Sequence, residues 1–298
     1  MNLELAERDG AVLPDEPLAR HTTLRIGGPA RRYCRVRTEE GLSQVLAAAR
    51  GAAEPLALLG MGSNVLAADE GFPGWVVRLE GDFLELAVEG ERLVAGGGAA
   101  LGGACAAAAR AGLSGLESIS GIPSSMGGAV RINAGAYGGE IFQVLESVRL
   151  VARDGSRRVA SAAEIPHGYR WTKLCETGEI VAQVTLRLAP ASREVIEERT
   201  RVVREKRRGA LPGEPNAGSI FKNPPGEYAG RLIEACGLKG ERRGGAEIST
   251  RHANVIVNLG GARAADVLEL MTLMRDSVRD RFGVTLAPEV EFLGLEWK

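Results

Sequence analysis

The sequence predicts an α+β fold built from more than one domain. Three observations lead there. Strand-like and helix-like patterns alternate along the whole chain, no segment repeats another, and 298 residues exceed the usual size of one domain, about 100–200 residues.

Residues 42–50 (LSQVLAAAR) have helical spacing, and PLALLG at 55–60 is an apolar run ending in glycine, a buried strand entering a turn. WVVRL at 75–79 is the next strand, so the start is βαβ-like. In LELAVEGERLVAGGG (84–98) two alternating runs flank Glu89-Gly90-Glu91 as a hairpin does. Gly96, Gly97 and Gly98 lead into AALGGACAAAARAG, an alanine-rich helix closed by Gly112. VLESVRLVARDGSRRVA alternates around Asp154-Gly155 as a second hairpin, and EIVAQVTLRLAP (179–190) is a strand stopped by Pro190. REVIEERTRVVREKRRG (193–209) reads as a charged amphipathic helix. The domain boundary therefore falls near 190, giving 1–190 (subdomains about 1–80 and 81–190) and 191–298. The second part holds a short helix (YAGRLIEACGL), a strand (HANVIVNLG), a long helix (AADVLELMTLMRDSVRDRFG) and a closing strand (PEVEFLGLEW).

Composition excludes several classes. With 37 basic against 38 acidic residues, no global field draws the chain to nucleic acid or to an anionic membrane. The start, MNLELAERDG, is acidic where a secretory signal is basic, and no run approaches the ~18 apolar residues of a membrane span, so a cytoplasmic location is expected. Cys34, Cys105, Cys175 and Cys236 are too dispersed for a metal or redox pair, and no metal is expected. No obligate protein partner is implied. The basic residues Arg204, Lys206, Arg207 and Arg208 are interleaved with Glu197, Glu198 and Glu205, as on a solvated helix face.

Forty glycines exceed the average usage of about 7 %, and they cluster. GMGSN (60–64) follows a strand, and GIPSSMGGAVRINAGAYGG (121–139) mixes glycine with small residues. Both suit a loop whose N–H groups surround a phosphate, where a Cβ would hold the oxygens away, although GxGSN alone is equally a tight turn. Neither GxxxxGK[ST] nor a helix-opening GxGxxG is present, which removes the P-loop and Rossmann alternatives.

HTTLRIGGPA (21–30), GMGSN and GIPSSMGGAVRINAGAYG (121–138) resemble the FAD-contacting segments of the vanillyl-alcohol-oxidase-type (PCMH) flavin domain. The version they resemble is that of the UDP-N-acetylenolpyruvoylglucosamine reductases (MurB). The resemblance implies a two-subdomain domain holding FAD non-covalently, followed by a smaller α+β substrate domain. It assigns the FAD diphosphate to Gly60, Met61, Gly62, Ser63 and Asn64 and to Gly121, Ile122, Pro123, Ser124, Ser125, Gly127 and Gly128. Thr22, Thr23 and Ile26 belong near the entry strand, and Asn133, Ala134 and Gly135 along the ribityl and isoalloxazine side. The family usually has glycine where Ser124 stands; if that position needs positive φ, serine costs on the order of 1 kcal/mol.

Three further segments resemble the same family in order: GYR (168–170) for its catalytic arginine, GSIFKNP (218–224) for its serine and PEVEFLG (288–294) for its glutamate. The implied reaction adds hydride to the vinyl carbon of an enol ether bearing a carboxylate, leaving charge beside that carboxylate. Arg170 would bind it, Glu289 would orient the arginine or donate a hydrogen bond, and Ser219 would deliver a proton to the α-carbon. Lys222, Asn223, His252 and Tyr137 match positions near substrate or nicotinamide. Read alone, Arg170 is a loop arginine, Glu289 an edge-strand carboxylate, Ser219 a turn residue and His252 a structural histidine. Two departures are Thr172, where serine or asparagine is usual, and Glu291, where arginine is usual. The 48-residue gap between Arg170 and Gly218 resembles the shorter, second type of the family. The expected partners are NADPH and the UDP-linked enolpyruvyl sugar, used in ping-pong order. The alternatives are an FAD-dependent sugar or lactone oxidase of the same superfamily and a catalytically inactive flavin-binding subunit.

Overall fold

The computed structural model describes residues 3–297; Met1 and Asn2, at the head of the acidic N-terminal stretch, and Lys298 lie outside the described residues. The chain divides into two compact units, each assembled from separate stretches of sequence. One comprises Met1–Leu13, Arg32–Gly60 and Gly74–Arg207; the other comprises Pro14–Arg31, Met61–Pro73 and Arg208–Lys298.

The first unit contains most of a four-stranded sheet, ordered Gly10–Pro17, Pro29–Val36, Phe72–Leu79, Leu56–Leu58. The βαβ-like start is present: Leu56–Leu58 pairs in parallel with the strand that carries Trp75, and the helix between them spans Glu39–Gly51. Thr38 caps that helix by accepting from the Gly41 N–H, and Glu39 and Glu40 stand in the first turn, where carboxylates complement the helix dipole. Leu42, Val45 and Leu46 bury its apolar face with Trp75 and Val77.

Beyond it lies a five-stranded antiparallel sheet in the order Arg157–Ser161, Leu145–Val151, Ile180–Arg187, Arg92–Gly96, Leu86–Glu89. Both expected hairpins form, with Gly90 and Gly155 at φ of 62° and 89° supplying the left-handed turn positions. The helices Leu101–Arg110 and Met126–Arg131 pack with this sheet around a core that includes Leu101, Met126, Val130, Leu150 and Val184. Gly97 is obligatory there: a Cβ would lie 1.8 Å from the Val181 carbonyl oxygen.

The second unit is built on the 19-residue helix Ala264–Phe282, whose buried Val267, Leu270, Met271 and Met274 meet Leu232 and Ile233 of the helix Ala229–Ala235. The Asp69 carboxylate accepts from the Ala264 and Ala265 N–H groups, two of the donors that a helix start leaves unmet. Gly283 closes the helix at φ 68°. An antiparallel sheet of Arg242–Arg243, Ala246–Ile248 and Ile256–Asn258 lies against it. The closing strand is shorter than the sequence pattern implies, only Glu291–Leu293, in parallel with Val65–Ala67. Glu289 therefore lies before the strand and not in an edge strand.

Among the described residues no helix is long and apolar enough to cross a membrane. All four cysteines are free, and burial pushes the Cys34 and Cys105 thiols up to about 12, so neither forms a thiolate near neutrality.

Candidate active site

In the second unit, the family-matched residues are held by backbone turns and by buried amide side chains. The Thr22 hydroxyl donates to the Ile26 carbonyl and accepts from the Ile26 N–H, closing the loop that carries Thr23. Thr23 then joins two segments distant in sequence. Its N–H donates to Gly62 O at 3.0 Å and its hydroxyl to Asn216 O at 2.7 Å. Gly62 has φ 64°, and a Cβ there would lie 2.0 Å from the His21 carbonyl oxygen, so only glycine allows this approach. Gly62 is buried, and among the described residues the N–H groups of Gly62 and Asn64 have no protein acceptor. A buried donor without a partner costs about 1–3 kcal/mol, so this loop suits an oxyanion ligand. Met61 is exposed, and Asn64 turns its side chain to donate to the Glu289 carbonyl.

Ser219 follows a tight turn in which the Asn216 side chain accepts from the Gly218 N–H and Gly218 takes φ 72°. The segment after it is fixed by Asn254, which is 2 % exposed. The Asn254 side chain accepts from the Phe221 N–H at 3.0 Å and donates to the Phe221 carbonyl at 2.8 Å, while its own carbonyl accepts from the Ile220 N–H. On the other side the Glu289 N–H donates to the Ile220 carbonyl. Ser219 and Glu289 are thus carried by adjoining backbone segments.

The remaining predicted substrate residues are partly occupied by structural work. Asn223 accepts from the Ala229 N–H and caps a helix. His252 accepts from the Asn254 N–H through Nδ1 and packs beside Gly230, and burial lowers its pKa, which keeps the ring neutral. Lys222 is half-buried, with its N–H on the Ala287 carbonyl.

In the first unit, the loop Gly121–Ser125 is fastened to the end of the five-stranded sheet. Leu101 N–H donates to Ser124 O, Met126 N–H to Ala99 O and Gly127 N–H to Gly97 O. Ser125 caps the helix Met126–Arg131 through the Gly128 N–H. A Cβ on Gly60 would lie 2.6 Å from the Ser125 hydroxyl, so the chain at Gly60 passes close to the cap of that helix. Ser124 is not among the residues with positive φ, so the serine carries no left-handed strain; its hydroxyl donates to Ser125 O. Ile122 packs against the core and Pro123 is exposed.

Asn133, Tyr137 and Arg170 are three of the six non-glycine residues with positive φ among the described residues, at 47°, 52° and 53°. Buried Asn133 donates to Gly168 O, and Ala134 is buried behind it. Tyr137 and Gly138 form the two-residue turn between Gly135–Ala136 and Gly139–Glu140, leaving the Tyr137 ring 48 % exposed. Arg170 occupies the corresponding turn between His167–Gly168 and Trp171–Thr172, at a position that favours glycine or asparagine. Its guanidinium donates to Gly135 O and lies 5.1 Å from the Tyr169 ring centre. Gly135 permits this, since a Cβ there would stand 3.3 Å from the Arg170 Nη1. The Thr172 hydroxyl donates to Arg131 O and anchors the turn, so the replacement of serine or asparagine keeps a working hydroxyl.

Sequence reasoning missed Asn254 and Asn216, whose signal is an amide inside or beside an apolar run. It also read Arg207 as solvated. Arg201 and Arg193 do pair with glutamates on the helix Arg193–Ala210, but the Arg207 side chain lies against Gly121.

A family described as "UDP-N-acetylenolpyruvoylglucosamine reductase, C-terminal domain" matches residues 211–293, and one described as "FAD binding domain" matches residues 30–161. A UDP-N-acetylenolpyruvoylglucosamine reductase 2 of Symbiobacterium thermophilum is 46% identical over 298 residues, covering 97% of both chains. The chain belongs to the UDP-N-acetylenolpyruvoylglucosamine reductase family. A second reductase of this family, from Moorella thermoacetica, is 45% identical over 95% of this chain and 93% of the relative. The crystal structure of the family's reductase (MurB) from Thermus caldophilus superposes with a TM-score of 0.84 at 43% identity, covering 95% of this chain and 99% of that one. Membership of the reductase family brings with it the PCMH-type flavin fold and FAD as cofactor.

Gly62→Val is expected to yield protein without flavin and with a lower Tm, because the Cβ meets the His21 carbonyl; the FAD-to-protein ratio and a melting curve measure both. Asn254→Leu leaves the buried Phe221 N–H and C=O unpaired and is expected to destabilise the chain by about 2–5 kcal/mol in urea unfolding, with Asn254→Asp, which keeps the acceptor, losing less.

Proposed function

We propose that this chain uses NADPH and FAD to reduce UDP-N-acetyl-3-O-(1-carboxyvinyl)-glucosamine to UDP-N-acetylmuramate, in the cytoplasm, as a step in making peptidoglycan precursors. The observation that carries the reading is the presentation of Ser219: a positive-φ glycine turns the chain just before it, and a buried amide locks the backbone just after it, beside the segment bearing Glu289. Serine held this firmly suits proton delivery, where a small displacement lowers the rate steeply. Residues 1–190 form the FAD-binding domain, which also contributes Arg170 and Tyr137 to the substrate, and 191–298 the substrate-binding domain.

FAD, when bound, supplies the hydride that it takes from NADPH. The glycine loops at 60–64 and 121–128 take its diphosphate, consistent with the unpaired Gly62 and Asn64 N–H groups. The substrate side of the reaction is the work of the chain's own residues. As hydride arrives at the vinyl carbon, negative charge builds next to the substrate carboxylate. Arg170, with its guanidinium already braced on Gly135 O, holds that carboxylate and disperses the charge. Glu289 orients that guanidinium or, when protonated, donates a second hydrogen bond to the same carboxylate. The Ser219 hydroxyl then protonates the α-carbon, giving the lactyl ether, and is reprotonated through water. Lys222, Asn223 and Tyr137 contribute to holding the nucleotide sugar, and neutral His252 serves mainly as a wall of the Asn254 turn.

The Ser219→Ala enzyme is expected to purify with its flavin and to bleach with NADPH at the native rate, while reduction of the enolpyruvyl sugar falls by orders of magnitude. Stopped-flow measurement of the two half-reactions separates them, and near-native turnover with the sugar would remove Ser219 from the role of donor.

A further inference from the structure

Arg207 ends the part of the helix Arg193–Ala210 that belongs to the first unit, and it differs from its basic neighbours. Arg201 and Arg193 lie in solvent with glutamates three or four residues away. Arg207 is half-buried. Its Cδ lies 3.5 Å, and the Arg204 Cγ 3.8 Å, from where a Cβ would stand on Gly121, so both side chains run across the glycine loop. Among the described residues its guanidinium has no hydrogen-bonded or ion-paired partner. Burial and the repulsion of Arg170 push its pKa down, and the Tyr137 phenol lies close enough to act on it. A partly desolvated guanidinium that feels the repulsion of a second one, and to which no carboxylate is ion-paired, is a costly arrangement in an unliganded protein and a favourable one around an anion. The planar fork of arginine suits phosphate oxygens in particular.

We infer that Arg207 binds a diphosphate oxygen of a nucleotide ligand over Gly121, either that of the flavin cofactor or that of a nucleotide substrate. This assignment rests on the reading of the chain as a nucleotide-using flavoenzyme. Gly121 keeps the loop thin at this point: a side chain on the loop would occupy the space between the arginine stems and the ligand, and φ 88° disfavours one in any case.

The test uses the full chain with Arg207→Gln, Arg207→Lys and, as a control, Lys206→Gln. In apoprotein titrated with FAD, Arg207→Gln is expected to raise the dissociation constant by about tenfold to a hundredfold, the range for losing a charge-assisted hydrogen bond, with partial recovery in Arg207→Lys and no change in Lys206→Gln. If FAD binding stays native and KM for the UDP sugar or for NADPH rises by the same factor, the diphosphate belongs to that substrate. A thermal-shift titration of the apoprotein with inorganic pyrophosphate gives a readout independent of turnover: the native chain is expected to be stabilised and Arg207→Gln not. Native FAD affinity, KM values and pyrophosphate stabilisation in Arg207→Gln would overturn the inference. A native chain that binds pyrophosphate through Arg207 but reduces no enolpyruvyl sugar would instead overturn the proposed function.

Discussion

The amide of Asn254 is the constraint on which the second unit's candidate site depends. Its two side-chain hydrogen bonds take up both backbone polar groups of Phe221, a residue buried in the core that has no helix or sheet ladder to satisfy it. Because the neighbouring Ile220 N–H and carbonyl are bound as well, to Asn254 O and to the Glu289 N–H, the segment after Ser219 has no freedom to slide. Buried amides satisfied on both sides act as such fasteners because the alternative, two unpaired groups in an apolar surrounding, is expensive. The serine itself needs no special environment to be well placed; its neighbours on either side determine its position.

In the first unit the organising device is backbone conformation. Asn133, Tyr137 and Arg170 are held at positive φ, and each sits in or beside a two-residue turn stabilised by the other turn's hydrogen bonds. Strain of this kind, on the order of 1–3 kcal/mol for each residue, persists where the surrounding structure over-determines the conformation and where function gains from it. Here it turns the Arg170 side chain back onto Gly135 O, so the guanidinium is oriented without substrate. Positive charge gathers on the same side through Arg207, in a protein whose net charge is only −1.

Much of the fold was legible in the sequence, for physical reasons that can be traced. The hairpins at Gly90 and Gly155 were readable because alternation and a turn glycine coincide, and the helix Ala264–Phe282 because its apolar residues keep one spacing over 19 residues. The strands Gly10–Pro17 and Val65–Ala67 were not read, the first because its burial pattern does not alternate and the second because three residues carry no period. Glu289 was placed in a strand by the apolar pattern around it, yet the ladder starts only where Val65 supplies a partner, at Glu291. For the proposed site, motif resemblance named the candidate residues, but their supports could not be read: Asn254 contacts a segment over thirty positions away, and Arg207 is distinguished from Arg201 only by what it packs against. Single-residue departures were likewise undecidable from sequence. Ser124 turns out to need no left-handed backbone, and Thr172 replaces one anchoring polar group with another.

On the proposed reading, glycine loops hold the flavin, Arg170 is braced before substrate arrives, Ser219 is locked by a buried amide, and NADPH and an enolpyruvyl sugar take turns. The most direct measurement is made without oxygen: bleach the flavin of the purified chain with one equivalent of NADPH, add the UDP-linked enolpyruvyl sugar and follow the visible flavin absorbance. Rapid return of the colour together with formation of one equivalent of UDP-N-acetylmuramate is the predicted result. A flavin that stays bleached until air is admitted would contradict the account and point to an oxidase.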